Sequence, residues 1–221
     1  MTPVVAIDGP SGAGKGTVAR AIAKVLRWSY VDTGAMYRAV AWMAQHEGLS
    51  LDDEEAVAGV AKNALFEMDE RRVTIDGHDV TAVIRTHEID GAAARVARMP
   101  RVREVLVARQ RQYAEAGPVV MEGRDIGTVV FPQAAVKIYL DASPHERAKR
   151  RSEDPVHGLS KAGEIGIVAS ALEWRDHLDR TRLASPLTAA ADAQVIDTTG
   201  VPVDSVVGQV LSIVRDRLGE G

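Results

Sequence analysis

Nine residues near the start of the chain, Gly9-Pro10-Ser11-Gly12-Ala13-Gly14-Lys15-Gly16-Thr17, have the types and spacing needed to hold a polyphosphate. Glycines 9, 12, 14 and 16 remove side chains and let the backbone turn its N–H groups inward, which makes an anion-binding nest. The apolar run Val4–Asp8 leads in, and Val18, Ile22, Val25 and Leu26 recur at helical spacing afterwards. The stretch therefore reads as strand, glycine loop, helix, with a helix N-terminus adding to the anion site. Lys15 supplies a cation for β- and γ-phosphates, as in a phosphate-binding loop. The usual pattern puts Ser or Thr directly after the Lys as a Mg²⁺ ligand. Here Gly16 holds that place, which leaves Thr17 to orient Mg²⁺, directly or through water. The loop predicts binding of ATP or a relative and leaves the fate of the phosphate open.

Further cations and carboxylates fall at the ends of apolar runs, where open α/β sheets bind ligands. Asp32-Thr33-Gly34-Ala35-Met36-Tyr37-Arg38 follows a short strand-like run and places Arg38 in the first turn of a helix. Gly123-Arg124-Asp125 follows Pro118–Glu122 in the same way. Arg175, Asp179 and Arg182 lie at i, i+4 and i+7, on one helical face. Arg147, Arg150 and Arg151 sit in a helix that starts at Pro144. Guanidinium groups gathered from separate segments suit phosphoryl transfer, in which charge spreads over the moving group. Each set also has a plainer reading: a solvated surface charge for Arg38, a turn with an internal Arg–Asp pair at 124–125, and a surface ion pair between Arg175 and Asp179.

Five short apolar runs must position these residues: Val4–Asp8, Trp28–Asp32, Pro118–Glu122, Val136–Asp141 and Gln194–Thr198. Helical patterns separate them, so the expected fold is α/β, a five-stranded parallel sheet flanked by helices. Residues 65–80 break the pattern with three short strand-like pieces and an Asp76-Gly77 hairpin signal. They read as a small β insert, or as an edge extension of the main sheet. Residues 86–116 read as helix broken near Pro100, and the polar stretch Ser152–Lys161 reads as a short lid between helices. The expected division is one domain: a core of 1–38, 117–143 and 178–221, an insert of about 39–116, and a lid of about 144–177.

The 221 residues, 46% hydrophobic, can bury a full core, and the net charge of −4 gives no general attraction to nucleic acid or an anionic membrane. With no cysteine, disulfides and thiolate metal sites are excluded. No basic-then-apolar leader and no apolar run near bilayer length stand in the sequence. A cytoplasmic monomer acting on small molecules is expected.

Four motifs in order resemble bacterial cytidylate kinases, within the phosphate-loop nucleoside monophosphate kinases: Gly-Pro-Ser-Gly-Ala-Gly-Lys-Gly-Thr, Asp-Thr-Gly-Ala-Met-Tyr-Arg, Gly-Arg-Asp-Ile-Gly-Thr and Arg-x3-Asp-x2-Arg. The resemblance covers nearly the whole chain, including the β insert. It implies transfer of the γ-phosphoryl group of ATP to CMP or dCMP, with Mg²⁺. It implies donor contacts from Gly9 to Thr17 and from Arg147 and Arg151 on a closing lid. It implies acceptor contacts from Thr33, Tyr37, Arg38, Arg103, Arg124, Asp125, Arg175, Asp179 and Arg182, with Lys15, Arg124, Arg151 and Arg182 at the reacting phosphates. Asp125 is expected to accept from the exocyclic amine of cytosine, which uracil lacks. One departure touches base reading: where relatives place a Ser about nine residues before the functional Arg103, this chain has Ala94. Another small-molecule kinase, for UMP or shikimate, shares the loop but does not need the insert and paired Arg–Asp sites. A non-enzymatic nucleotide switch would normally carry Asn-Lys-x-Asp, which is absent.

Overall fold

The computed structural model describes residues 2–69, 72–154 and 165–219. Val4–Asp8 (β1) is buried along its whole length and pairs in parallel with Val119–Gly123 (β6) on one side and Val136–Asp141 (β7) on the other. Ser29–Asp32 (β2) adds outside β6 and Gln194–Asp197 (β8) outside β7, giving the order β2-β6-β1-β7-β8, all parallel. The continuous apolar runs at β1, β6 and β7 follow from their central places, because a strand covered on both faces has no polar side to show. One face packs against Lys15–Leu26 (α1) and Val203–Leu218 (α8), through Val18, Ile22, Val206, Val210 and Val214. The other meets Pro100–Glu115 (α5) and a single π-helical turn, Ile126–Val130, through Val107, Ile126 and Val130. The sequence reading placed no helix at this π turn. Its start is held by the buried carboxylate of Asp8, which accepts the N–H groups of Ile126 and Gly127 (both 2.8 Å).

Between β2 and β6 the chain builds a second body with cores of its own. Thr33–His46 (α2) packs on Glu54–Asn63 (α3), His87–Val96 (α4) and α5, burying Met36, Val40, Val57, Val96 and Leu106. Phe66–Met68 (β3), Val73–Ile75 (β4) and His78–Asp79 (β5) form a separate antiparallel sheet against the other side of α2. This sheet shares no strand with the main one, so the edge-extension reading is set aside. Asp76 and Gly77 both take left-handed φ (49° and 79°), as a two-residue hairpin turn requires.

Pro144–Glu153 (α6) begins at an N-cap in which the Glu146 N–H donates to Ser143 Oγ (3.3 Å). Ile165–Thr181 (α7) is one uninterrupted helix, so the core–lid division expected between 177 and 178 runs through it. Residues 155–164 of the expected lid lie outside the described residues.

Candidate active site

All five strands of the main sheet end on one edge. Their C-terminal ends deliver Gly9–Thr17 after β1, Asp32–Arg38 at β2, Glu122–Asp125 at β6 and Thr198–Val203 after β8 to a single cleft of about 820 Å³. The loop after β1 is pressed against β7. Gly9 has φ 146°, and a Cβ there would lie 2.0 Å from the Leu140 carbonyl oxygen, so no other residue fits. Lys15 is 6% exposed and its Nζ donates to the Pro10 carbonyl (2.7 Å). Burial, helped by the nearby Arg124 guanidinium, pushes its ammonium down to about 7, against the pull of Glu122, Asp176 and Asp179.

Gly16 explains itself against β6. A Cβ on Gly16 would stand 2.8 Å from Glu122 Oε1. The carboxylate of Glu122 thus occupies the space that the usual Ser or Thr side chain would fill. Tyr30 anchors it by donating its hydroxyl to the same oxygen (2.7 Å). Burial, then the neighbouring Asp32 carboxylate, raises Glu122 above the usual carboxylate range. Thr17 is exposed to the same cleft. Glu122, Asp32 and Thr17 line the same cleft beside the phosphate loop.

Across the cleft the arginines stand in a lattice of carboxylates. Asp32 caps α2 by accepting from the Ala35 N–H (3.0 Å) and also pairs with Arg38 Nη2 (2.9 Å). Burial alone would lift the Asp32 carboxyl, but Arg38 and the Ala35 N–H outweigh it and hold it low. Arg124 Nε donates to Asp179 Oδ2 (2.9 Å), and Arg182 Nη1 lies 3.5 Å from Asp179 Oδ1. Arg103 pairs with Asp125 and sits over the Tyr37 ring, its Cζ 5.4 Å from the centroid. Arg182 Nη2 approaches the other Asp125 oxygen at 3.7 Å. The Arg124–Asp125 dipeptide therefore does not pair internally; each partner reaches a different segment. Thr33 donates its hydroxyl to the Glu122 carbonyl (2.8 Å), tying α2 to β6. Among the described residues, Arg38 Nε, Arg103 Nε, Arg175 Nε and Arg182 Nη2 are buried without a hydrogen-bond partner. Leaving such donors unmade is costly. Four of them around one cleft suit an anionic ligand.

Most expected site residues line this cleft: Ser11 to Thr17 of the loop, Thr33, Tyr37, Arg38, Arg103, Arg124, Asp125, Arg151, Arg175, Asp179 and Arg182. Gly9 and Pro10 shape the loop from behind. Arg147 is a correction. It is 4% exposed, and its guanidinium donates to the carbonyls of Ser11 and Ala142 (both 3.1 Å) and pairs with Asp176. Asp176 in turn accepts the Ser11 N–H (3.2 Å). The pair braces the back of the phosphate loop against α6 and α7, and Arg147 does not line the cleft. Arg150 does line the cleft, but it binds Glu146 (2.9 Å) and the hydroxyl and carbonyl of Thr198 (2.9 and 2.6 Å). Arg175 does not pair with Asp179; it reaches Asp90 on α4 (2.9 Å). Glu122, Asp90 and Asp176 were not singled out from sequence. Glu122 directly precedes the Gly-Arg-Asp motif, so its strand-end place was a usable signal; Asp90 and Asp176 gave none.

The cytidylate kinase family model matches residues 5–216. The chain belongs to the cytidylate kinase family. Within that family it is 46% identical to the cytidylate kinase of Desulfitobacterium hafniense over 223 residues, 98% of this chain and 94% of that one. It is 42% identical to the cytidylate kinase of Aeromonas salmonicida, covering 100% and 97%. Among solved structures, a gluconokinase from Sinorhizobium meliloti superposes with TM-score 0.51 at 14% identity, covering 96% of this chain and 90% of that one. That likeness shows the fold alone. No helix among the described residues is long and apolar enough to cross a membrane.

Proposed function

We propose that the protein transfers the γ-phosphoryl group of ATP to CMP or dCMP. The observation that carries this reading is the two-sided cleft. A glycine-loop anion nest with Lys15 forms one wall, and guanidinium groups from α2, β6 and α7 form the other. Membership of the cytidylate kinase family supports cytosine as the base.

The protein's part is positioning and electrostatics, since phosphoryl transfer leaves little covalent work to the enzyme. The loop N–H groups and Lys15 hold the donor phosphates. Arg38, Arg124 and Arg182 hold the acceptor phosphate for in-line attack, with their present carboxylate partners fixing the guanidinium planes. Arg151 adds a cation from α6. Asp179 accepts from the sugar, and Arg103 with Asp125 reads the base beside Tyr37. Mg²⁺, which would be held through Thr17 and Glu122, supplies neutralising charge to the donor oxygens. No general base is required, because a phosphate monoester, with second pKa about 6, is already largely ionised near pH 7. The division into an acceptor-binding insert of 39–116 and a lid of 144–177 belongs to the same proposal.

Initial rates with ATP against CMP, dCMP, UMP and AMP test it. CMP and dCMP are expected to lead in kcat/KM. Turnover led by UMP or AMP, or none on any monophosphate, would refute it.

A further inference from the structure

One carboxylate bridges two arginines of the cleft wall. Asp90, in the first turn of α4, is 8% exposed. Its Oδ2 pairs with Arg151 of α6, and its Oδ1 lies 2.9 Å from Arg175 Nη1 of α7. All three side chains are largely withdrawn from solvent, at 10%, 22% and 18% exposure. α4 belongs to the insert, built on its own core, whereas α6 and α7 flank the expected lid. Among the described residues, the ion pairs Arg95–Asp52 and Arg101–Glu55 stay inside the insert, and Arg103–Asp125 reaches the main sheet.

We propose that Asp90 is a positioning residue: from the insert it holds Arg151 of α6 and Arg175 of α7 together beside the cleft, so that these two helices are aligned with the acceptor side. This rests on the kinase reading above. The charges support it. Arg151, Arg175 and Arg38 crowd one region, and each guanidinium opposes the others. Asp90 offsets that repulsion. Burial would raise its carboxyl, but Arg175, Arg151 and Arg38 hold it below the ordinary range, so the charge persists at neutral pH. The pairing also leaves a ligand-facing donor. Arg175 Nε is buried without a partner, as is Arg38 Nε, and both residues line the cleft. Asp90 therefore orients the arginines and leaves N–H groups for a phosphate. A dianionic phosphate brought among three guanidiniums and one carboxylate makes the set neutral.

The predicted readout is linkage between the two ligands. Binding of a non-hydrolysable ATP analogue is measured by calorimetry without and with saturating CMP. In the wild type CMP is expected to tighten the analogue by about fivefold or more, the lower end of ordinary coupling between sites. In Asp90→Asn that ratio is expected to fall within about twofold of one, with CMP binding alone kept within about threefold and kcat reduced about tenfold. Asp90→Glu, which keeps the charge, is expected to recover part of both. Retention of the wild-type ratio and kcat in Asp90→Asn overturns the proposal. So does a loss of stability and kcat with the ratio intact, which is what a purely structural pair would give. If Asp90→Asn does not fold, Asp90→Ser and wild type at raised salt carry the comparison, and an unchanged ratio in both overturns it. A wild type that does not turn over CMP overturns the kinase reading itself; an unchanged ratio in a CMP-active enzyme overturns Asp90 alone.

Discussion

The buried ammonium of Lys15 gives a quantitative prediction for donor binding. Its pKa in the free protein is about 7, mainly because burial disfavours the charge and Arg124 lies nearby. The donor phosphates favour the charged form, so binding at higher pH must carry a proton onto Lys15. With a free pKa of about 7, about one molecule in eleven carries the ammonium at pH 8. If the charged form is the one that binds, donor affinity falls about five- to sixfold between pH 7 and 8, about 1 kcal/mol, and about tenfold per further unit, about 1.4 kcal/mol each. The phosphate's own titration, near pH 6, is complete over this range. Calorimetry with a non-hydrolysable ATP analogue at pH 7.5, 8 and 9, in buffers of different ionisation heat, reads affinity and proton uptake together. Uptake close to one proton at pH 8 is expected, and Lys15→Met should abolish both the uptake and the slope while weakening binding. An affinity flat from pH 7.5 to 9 with no proton uptake would refute the reasoning. The same shift has a folding consequence with a defined sign. A lysine whose folded pKa lies below its unfolded value of 10.5 favours the unfolded state while protonated, so its penalty fades as pH rises from about 7 towards 10.5.

Four other outcomes follow from single contacts. Arg147→Met removes the partner of buried Asp176 and is expected to cost about 3–5 kcal/mol in urea unfolding, as breaking a buried pair does; a stable variant with only donor affinity lost would restore the discarded phosphate role. Asp125→Ala should lower the CMP/UMP ratio of kcat/KM, since a carboxylate accepts from an amine but repels a carbonyl; an unchanged ratio removes Asp125 from base reading. Gly16→Ser should displace Glu122 and raise the Mg²⁺ concentration needed for half-maximal rate; a lower requirement would show that Glu122 does not act on the metal side. Asp8, buried and raised to about 6 despite its two backbone N–H bonds, costs stability above pH 6 relative to an ordinary aspartate at 3.8. The gap is worth about 3 kcal/mol. Raised folded pKa means stability present below 3.8 and lost as pH rises through 6. Urea midpoints of wild type minus Asp8→Asn should therefore drop between pH 4 and 6; a difference independent of pH would contradict the burial effect.

What the sequence disclosed and what it hid divide along a physical line. Strands β1 and β7 were legible to the residue because uninterrupted apolar runs mark central parallel strands. The phosphate loop was legible because backbone anion binding needs glycines at fixed offsets. Arg124, Arg182 and Asp179 were legible through motif and helical phase, yet their actual pairing, Arg124 with Asp179 rather than with its own neighbour Asp125, depends on how α7 docks. Arg147 went wrong for the same reason. A guanidinium in the first two turns of α6 can face the cleft or the back of the loop, and local sequence carries no term for that choice. Docking of α6 beneath Ser11, with Asp176 arriving from α7, decides it.

Glu122 shows the converse, a local oddity whose cause lies far away. The loop departs from the usual Lys-Ser/Thr order at Gly16, and within the loop nothing accounts for it. The reason stands 106 positions later, where Glu122 fills the space that the side chain would take. The loss of a hydroxyl and the gain of a carboxylate are then one change. The hydroxyl is a neutral ligand on the loop itself, whereas Glu122 brings a titratable charge from β6, fixed by Tyr30 and close to Lys15. A hold on the metal that runs through Glu122 couples donor binding to the strand that also ends in Arg124 and Asp125. Double substitution tests this coupling: Gly16→Ser and Glu122→Ala should each raise the Mg²⁺ concentration needed for half-maximal rate, and together they should raise it by less than the product of the two effects, because the serine regains the vacated space. Strict additivity would mean that the two residues act on the metal side independently, and the steric account of Gly16 would fail.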